Sequence, residues 1–284
     1  HARGIYFMRR VRPVTEVAVL VMLVVWIVLS AHNKAATFKL MTGKTIGEVE
    51  HTLTESKHAV LYQPIYRLVF SVYANTLTAK QVDRLVATVD KVKVDSCSFR
   101  SPNIILIIGE SYNRHHSSQY GYVMPTTPRQ QKMEKRGRLV KYTDVVSPWN
   151  LTSFVFKHIF STYTVGDKGE WCDYPLFPAV FRKAGYHVTF ITNQFLPKAK
   201  EAVYDFSGGF FLNNPKLSAA QFDSRNTKLH EFDEDLLRDY EELQSQNRDN
   251  NLIIFHLLGQ HVQYRQRSPK DRKKFKGDDY KELK

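Results

Sequence analysis

The chain has 284 residues, with 41 lysines and arginines against 28 aspartates and glutamates, which gives a net charge of +13. This length suits one sizeable domain with attachments, and the positive charge favours a partner that carries lipid phosphates. Nucleic acid is disfavoured, because an apolar segment precedes the domain and no motif that reads bases is visible. The two cysteines, Cys97 and Cys172, are too few for a disulfide framework.

An apolar stretch near the N-terminus occupies residues 14–31, with 13 unbroken apolar positions at 17–29. It reaches the lower limit of about 17 residues for a membrane span only when Thr15, Glu16 and Ser30 are included. A cleaved signal peptide and a buried core helix are alternatives, but the cleavage motif is poor and core helices are rarely apolar on every face. We therefore predict a cytoplasmic basic flank and one transmembrane helix over residues 1–31, with the remainder exported.

Residues 32–100 are predicted to form a membrane-proximal helical connector. The segment 62–73 is aromatic and amphipathic, which is typical both of a helix along the membrane interface and of a helix packed on the domain. From Thr78 onward, apolar residues again recur at helical spacing. The charged run that ends at Pro102 leads into a further domain predicted for residues 101–284.

The first element of that domain is the apolar run 104–108, which is rich in β-branched residues. It predicts a strand buried on both faces, as in parallel sheets. Gly109, Glu110 and Ser111 follow at its carboxyl end, where open α/β sheets bind their ligands. Glu110 is therefore a candidate for metal ligation or acid/base work, and the alternative is a solvated loop carboxylate.

The next segment alternates over residues 139–146, which predicts a strand, and residues 154–161 have the length of a short helix. Thr152 lies at the start of that helix, as an N-cap or first-turn residue. One interpretation is an ordinary helix cap. The other is a phosphate contact, because the N–H groups and the positive dipole end of a helix favour phosphate oxygens.

Two further buried strands are predicted, at residues 186–192 after a helix at 174–185, and at residues 252–258. Helix and strand in this order form a right-handed parallel crossover. Asn193 and Gln194 follow the first strand, and their amides either orient a substrate or close a turn. His256 lies within the second strand and is interpreted as a core histidine, whereas His261 lies past its carboxyl end.

The acidic turn at residues 233–235 is interpreted as helix-start carboxylates that complement the dipole. The tail from Arg265 to Lys284 holds nine lysines or arginines and is predicted to be a solvated surface segment, near anionic lipid.

Several short motifs together resemble the lipopolysaccharide phosphoethanolamine transferases of the alkaline phosphatase and sulfatase superfamily. These motifs are Gly109-Glu110-Ser111, Arg114, His116, Tyr120-Gly121-Tyr122 and Thr126-Thr127-Pro128. The resemblance covers roughly residues 100 to 265. It implies an α/β, alkaline-phosphatase-like domain with a central, mostly parallel sheet flanked by helices and preceded by one transmembrane helix. It also implies a bacterial inner-membrane enzyme with its catalytic domain in the periplasm.

The same resemblance implies roles for particular residues. Thr152, which lies 42 residues after Glu110, would be the nucleophile, with Ser111 as its rival and Ser153 as a weaker choice. Glu110 and Thr152 would be two ligands of a zinc ion. The family's remaining Asp-His pair does not occur after residue 110, so we expect it beyond Lys284 and expect the fragment alone to bind zinc poorly and to be inactive.

His261, His116 and Asn193 would contact the substrate. Around His261 the sequence departs from the family pattern, because Gln260 replaces a serine and Val262-Gln263 replaces Gly-Pro.

The implied reaction moves phosphoethanolamine from phosphatidylethanolamine to lipid A or the lipopolysaccharide core through a covalent intermediate on threonine. Two alternatives stay open. One is another sulfatase-superfamily hydrolase or a phosphoglycerol transferase, and the other is a catalytically degenerate domain that binds anionic lipid. The sequence begins with His1 and stops in a hydrophilic run, so we expect a fragment of a longer protein.

Overall fold

The computed structural model describes residues 13–55, 62–98, 100–196, 210–275 and 279. The chain divides into two compact units, one with the described residues up to Ala79 and the other with those from Lys80 onward. The arginines of the predicted cytoplasmic flank at residues 1–12 lie outside the described residues. The domain boundaries predicted after residues 31 and 100 stay predictions.

The first unit is helical. Its helices are α1 (Pro13–Leu29), α2 (Ala31–Met41), α3 (Ile46–Glu55) and the first part of α4 (Gln63–Val89). α4 joins the predicted amphipathic segment and the helical pattern after Thr78 into one helix of 27 residues. The core of this unit packs Leu40, Val49 and Tyr66 together, and all three are fully buried.

The apolar helix α1 buries none of its residues. Within the described part of the chain, no single helix has both the length and the apolar composition of a membrane span. α1 and α2 together have both, and they meet at a bend of 47°.

The second unit is built on a four-stranded sheet. Its strands are β1 (Asn103–Ile108), β2 (His187–Thr192), β3 (Ser224–Arg225) and β4 (Asn251–His256), and its helices are α5 (Pro128–Lys135), α6 (Thr152–Phe160), α7 (Phe177–Lys183), α8 (Pro215–Gln221) and α9 (Leu236–Leu243). The spatial order is β1-β4-β2-β3, and every neighbouring pair is parallel. The predicted α/β fold with a parallel sheet is therefore confirmed.

The two faces of the sheet carry different cores. On one face, Phe156 and Phe160 of α6 pack against Phe190 of β2 and Ile254 of β4. On the other face, Leu236 of α9 packs with buried apolar residues of β2 and β4. Because side chains alternate along each strand, β2 and β4 contribute to both cores and are buried throughout.

β1 differs from its prediction, because only one of its faces is covered. Ile105 and Ile107 are 58% and 62% exposed, whereas Ile104, Leu106 and Ile108 are partly buried. β1 is an edge strand with β4 as its neighbour, and α9 packs over β2 and β4 on the face that carries the two exposed isoleucines. An apolar run predicts a strand, but the number of covered faces depends on the strand's place in the sheet.

The strand predicted at residues 139–146 is wrong, because this segment has an irregular backbone. Arg114 donates from Nη1 to the carbonyl of Thr143 at 2.9 Å, and the Tyr120 hydroxyl donates to the carbonyl of Tyr142 at 3.0 Å. These two side chains therefore occupy carbonyl groups that, in a strand, would accept hydrogen bonds from a neighbouring strand. The other elements predicted in this unit are confirmed, with the second helix shortened to α7.

Replacing Phe190 by alanine is expected to destabilise the chain by about 3–5 kcal/mol, because its fully buried ring leaves a cavity in the aromatic core. The matched control is Ile107→Ala, which removes an exposed side chain from the same sheet and should cost less than about 1 kcal/mol. Urea denaturation of both variants measures the difference. Equal losses would contradict this description of the core.

Candidate active site

The centre of the candidate site is the carboxylate of Glu110, which lies two residues beyond β1. Its Oε2 accepts a hydrogen bond of 3.0 Å from Thr152 Oγ1, and its Oε1 accepts one of 2.8 Å from Ser111 Oγ. Glu110 and Thr152 are partly buried, while Ser111 is exposed. The structure thus brings together the two predicted metal ligands and the rival nucleophile.

Thr152 is the first residue of α6, and Leu151 occupies the N-cap position without a side-chain cap. The interpretation of Thr152 as a helix cap is therefore wrong, since its hydroxyl donates to Glu110 instead. The buried rings of Phe156 and Phe160 fix α6 on the sheet. The aromatic core therefore determines where the N-terminus of this helix places its hydroxyl.

Gln194 is a third partner of Glu110, and the sequence pattern singled out its amide together with that of Asn193 but did not place it at Glu110. Its buried amide Nε2 lies 3.3 Å from Glu110 Oε2, 2.6 Å from the carbonyl of Leu257 and 3.4 Å from His256 Nε2. Two amide protons are thus shared among three acceptors. Strand alternation, continued two residues past the end of β2, could have placed this contact, because it puts Gln194 on the side of Phe190 and Thr192 and Asn193 on the other side.

Asn193 is buried, and both of its polar groups are bonded within the protein. Its Nδ2 donates to Asp233 Oδ1 at 2.9 Å, and its Oδ1 accepts from the N–H of His230 at 2.7 Å. Asn193 therefore joins the end of β2 to the segment before α9. Its predicted contact with substrate stays a prediction.

Asp233 connects three segments at this end of the sheet. Its carboxylate accepts hydrogen bonds from the N–H groups of Leu258 at 2.9 Å and Gly259 at 2.6 Å, in addition to the bond from Asn193. The carboxylate of Asp233 thus binds mainly the backbone N–H groups of the loop after β4, and its role is not to complement the dipole of α9. The acidic turn predicted as a helix start is, for Asp233, a brace between loops.

His261 lies in the loop after β4, and two preceding residues of that loop contact Glu110. Gly259 has a left-handed φ of +44°, and a Cβ at this position would lie 3.5 Å from the backbone nitrogen of Glu110. The N–H of Gln260 donates to the carbonyl of Glu110 at 3.3 Å. His261 Nδ1 is buried and has no hydrogen-bond partner among the described residues.

His116 belongs to the motif loop after β1 and is exposed. Its ring meets the edge of Tyr122 at 5.4 Å between centroids, and its carbonyl accepts from Thr126 Oγ1 at 2.7 Å. Thr127 Oγ1 is bonded to the hydroxyls of Ser117 and Ser118 at 2.9 and 3.1 Å. The two threonines of the motif therefore hold the loop itself together.

His256 is fully buried, as the sequence predicted for a core histidine. The Thr192 hydroxyl donates to the carbonyl of Gln194 at 2.6 Å and lies 3.0 Å from His256 Nδ1. Because that hydroxyl proton is already used, Nδ1–H donates to Thr192 and the bare Nε2 faces Gln194. Burial lowers the pKa of His256 to about 3, so the ring is neutral near pH 7.

The described residues supply only part of a zinc site. Structural and catalytic zinc ions generally take about four ligands from histidine, cysteine and carboxylate side chains. Glu110 and Thr152 offer one carboxylate and one hydroxyl, and the described part of the chain contains no cluster of three or more such residues suited to a metal. Glu110 and Thr152 therefore fit part of a zinc site, and the described residues do not complete it.

Comparison with known proteins gives a consistent family. A family model described as sulfatase matches residues 102–284. Phosphoethanolamine transferase EptC of Escherichia coli O18:K1:H7 is 27% identical over 176 residues, which are 62% of this chain and 30% of that protein. Phosphoethanolamine transferase CptA of Salmonella typhimurium is 27% identical over 180 residues, 61% of this chain and 30% of that protein. These matches confirm the predicted resemblance.

Solved structures show the same fold. The crystal structure of the C-terminal periplasmic domain of EcEptC from Escherichia coli is 26% identical, with a TM-score of 0.53 over 64% of this chain and 49% of that chain. The same domain in complex with Zn is 24% identical, with a TM-score of 0.52 over 64% of this chain and 50% of that chain. The chain thus spans about half of the solved domain and 30% of the curated relatives it matches.

Replacing Asp233 by alanine is expected to lower the free energy of unfolding by about 1–3 kcal/mol, because two backbone N–H groups lose a charged acceptor. Asp235→Ala is the matched control, since that carboxylate lies on the same turn and its ion pair with exposed Arg238 is 3.5 Å long. It should cost less than about 0.5 kcal/mol. Urea denaturation distinguishes the variants, and similar losses would refute the bracing role.

His256 is expected to make the fold sensitive to acid. A histidine in the unfolded chain titrates near pH ~6.5, so below that pH the unfolded chain binds more protons than the folded one. The free energy of unfolding therefore falls as the pH drops from about 6.5 towards 3, by up to about 1.4 kcal/mol per pH unit. Above about 6.5 this contribution is fully present.

The measurement is urea denaturation at about pH 7 and about pH 5. His256→Gln removes the titrating group and should lose less stability between the two pH values than the unmodified chain. His115→Gln, which changes an exposed histidine, should leave the difference as it is. Parallel behaviour of the His256 variant and the unmodified chain would show that His256 does not cause the acid sensitivity.

Proposed function

The chain belongs to the sulfatase family, and on this basis we propose that it is part of a zinc-dependent, membrane-anchored phosphoethanolamine transferase. The donor is phosphatidylethanolamine, and the acceptor is lipid A or the lipopolysaccharide core. The observation that carries the proposal is the 3.0 Å hydrogen bond between Thr152 and Glu110 at the carboxyl edge of the sheet. The proposal is supported by curated relatives that are phosphoethanolamine transferases.

In the first step, Thr152 Oγ1 attacks the phosphorus of phosphatidylethanolamine, a bond forms between that oxygen and phosphorus, and the bond to the diacylglycerol oxygen breaks. Glu110 accepts a hydrogen bond from the Thr152 hydroxyl and takes its proton during the attack. The lone pairs of the hydroxyl oxygen then point away from the carboxylate. The N-terminus of α6 favours the phosphate oxygens. The departing oxygen takes up the proton that Glu110 received from Thr152, and diacylglycerol is released.

In the second step, an oxygen of the acceptor attacks the same phosphorus. The bond to Thr152 breaks, and the threonine hydroxyl regains a proton. Splitting the transfer in this way allows a lipid donor and a saccharide acceptor to use one site in turn. A zinc ion, when bound, would lower the pKa of the attacking hydroxyl.

Ser111 is the second candidate nucleophile, since its hydroxyl donates to the other oxygen of the same carboxylate. Its backbone has a φ of +50°, in the left-handed region that residues other than glycine seldom adopt. Thr152 is preferred because it is the first residue of α6, a helix of nine residues, whereas Ser111 does not lie at a helix N-terminus.

The donor lipid fits a cavity of about 1020 Å³ that borders Ser111. Val155 and Ile159 of α6 give this cavity an apolar wall, and Arg114 gives it positive charge, while Lys141 is paired with Glu134 at 3.2 Å. Such a combination suits a phosphodiester joined to acyl chains. His261, His116 and Asn193 are the proposed substrate contacts, and the buried, unpartnered Nδ1 of His261 supports its inclusion.

Glu110 and Thr152 are the two zinc ligands that we propose within this chain. A solved relative in complex with Zn supports the choice of metal. The bent pair of α1 and α2 supports a membrane anchor. The proposed organisation is an inner-membrane protein with residues 1–31 as flank and span, 32–100 as connector and 101–284 as periplasmic catalytic domain, consistent with relatives solved as periplasmic domains.

A second candidate is a catalytically inactive domain that binds anionic lipid. The incomplete donor set around Glu110 favours it, because the described residues contain no complete metal cluster. The net charge of +13 fits either candidate. Turnover therefore distinguishes the two.

In the full-length protein, Thr152→Ala is expected to reduce diacylglycerol release from phosphatidylethanolamine by at least about 1,000-fold, because the attacking oxygen is lost. Thr152→Ser keeps a hydroxyl at this position and should retain measurable release. The assay measures diacylglycerol by mass spectrometry, together with a phosphoethanolamine adduct on the peptide that contains residue 152.

Undiminished release by Thr152→Ala would refute the assigned nucleophile, and an adduct at Ser111 would replace it. Hydrolysis of a sulfate ester without diacylglycerol release would show a sulfatase. Lipid binding without release or adduct in the unmodified protein would favour the inactive domain.

A further inference from the structure

A second cavity, of about 1250 Å³, lies at the same end of the sheet but outside the residues assigned above. Its walls come from the segment after β3, from Leu258 after β4 and from residues 265–273. We name it the basic pocket after its five cationic lining residues, which are Arg225, Arg265, Arg267, Lys270 and Lys273.

Among the described residues, no carboxylate forms an ion pair with the cations of the basic pocket. Glu231 is the one carboxylate among its lining residues, and none of the five cations makes an ion pair with another described residue. Arg272, which lies between them in sequence but does not line the pocket, has Glu234 and Asp271 at 3.5 Å. The unpaired cations thus concentrate on the cavity, where a concave surface strengthens their field.

Arg225 is the most buried of these cations. Its guanidinium lies 5.0 Å from the ring of Phe190 and 5.5 Å from that of Phe222, and burial lowers its pKa to about 10. It donates to the Leu212 carbonyl, Ser218 Oγ and Asn213 Oδ1, all neutral acceptors. Its Nε is buried and lacks a partner among the described residues. A buried cation without a counter-charge is costly, and an anion in the pocket offsets that cost.

The segment that carries the other four cations is held by backbone acceptors. Lys273 Nζ donates to the carbonyl of Arg265 at 2.5 Å, and Arg267 donates to the carbonyl of Val262 from Nε at 3.3 Å and from Nη2 at 3.1 Å. Carbonyl oxygens orient these side chains without neutralising them. The positive charge therefore remains available to a ligand.

The basic pocket adjoins the candidate active site through the loop after β4. Leu258 lines the pocket, and the next residue, Gly259, packs against the backbone of Glu110. Asp233 fixes both residues through their N–H groups. A ligand that contacts Leu258 in the pocket is thus one residue along the chain from Gly259, which packs against Glu110.

We propose that the basic pocket binds a phosphate group on the saccharide acceptor and so holds that acceptor beside the site of transfer. This inference rests on the proposed function, which supplies the acceptor, while the pocket itself supplies the recognition of phosphate. Guanidinium groups match phosphate oxygens in pairs, and lysines add flexible point charges. Phosphorylated lipid A carries such groups on a sugar.

The test measures binding of the Thr152→Ala full-length protein, so that turnover does not interfere. The probe is phosphatidylcholine vesicles containing phosphorylated lipid A, compared with vesicles containing dephosphorylated lipid A. The pocket variant is R265Q/K270Q/K273Q, three exposed side chains. The matched control is K132Q/K135Q/R136Q, which removes the same charge from exposed positions at α5. Unchanged urea denaturation confirms that both variants are folded.

The pocket variant should bind the phosphorylated vesicles at least about tenfold more weakly, and the control should change binding less than about threefold. Equal losses in both variants would reduce the effect to general charge attraction and overturn the proposal, as would no loss in either. Equal binding to dephosphorylated vesicles would also overturn it. If inorganic phosphate at submillimolar concentration displaces the vesicles completely, the ligand is free phosphate and the acceptor assignment fails.

These outcomes are separate from those for the proposed function. Weakened binding in the pocket variant, combined with no diacylglycerol release by the unmodified protein, would refute the transferase and retain a phosphate site. Diacylglycerol release with unaltered binding in the pocket variant would refute the pocket and retain the transferase.

Discussion

The parallel pairing of β4 with both β1 and β2 brings the carboxyl ends of three strands to one edge of the sheet. Glu110 follows β1 and Gln194 follows β2, with β4 between them. The amide of Gln194 bridges this gap, because it reaches Glu110 on one side and the Leu257 carbonyl at the end of β4 on the other. Sheet order and side-chain length together therefore determine which groups surround the carboxylate.

The aromatic core provides the second constraint, since it ties the helix that carries Thr152 to the strand that carries His256. The ring centroids of Phe156 in α6 and of His256 are 4.5 Å apart, and His256 in turn faces the amide of Gln194. A change in the packing of α6 would thus move the Thr152 hydroxyl and alter the surroundings of Gln194 together. Core stability and site geometry are properties of the same contacts.

Local sequence pattern predicted the parts of this unit that depend on short segments. The apolar runs gave β2 and β4, the short apolar helix gave α6, and strand-end polarity drew attention to Glu110. The exposed face of β1 could not be predicted, because it depends on which strand lies at the edge and on how far α9 extends. Alternation at residues 139–146 misled for a related reason, since side chains of the motif loop bind its carbonyls.

The contacts of the site that the sequence did not predict have a common cause. Gln194 and Asp233 act through hydrogen bonds to backbone groups of another loop, Leu257 for the first and Leu258 and Gly259 for the second. Such bonds depend on tertiary distances that no spacing along the chain reveals. Strand parity alone could have separated Gln194 from Asn193, since it assigns the two residues to opposite faces.

Electrostatics links the candidate active site to the basic pocket. A transfer between two phosphate-bearing molecules must bring negative charges together beside the carboxylate of Glu110, which repels them. The described residues around Thr152 include no cation bonded to that carboxylate, whereas the neighbouring pocket is lined by five cations that have no ion-pair partner in the described part of the chain. Under the proposed function, a metal ion would neutralise charge at the attacking oxygen and the pocket would neutralise charge on the acceptor. The loop from Leu258 to His261 borders both, so its anchoring by Asp233 sets the distance between them.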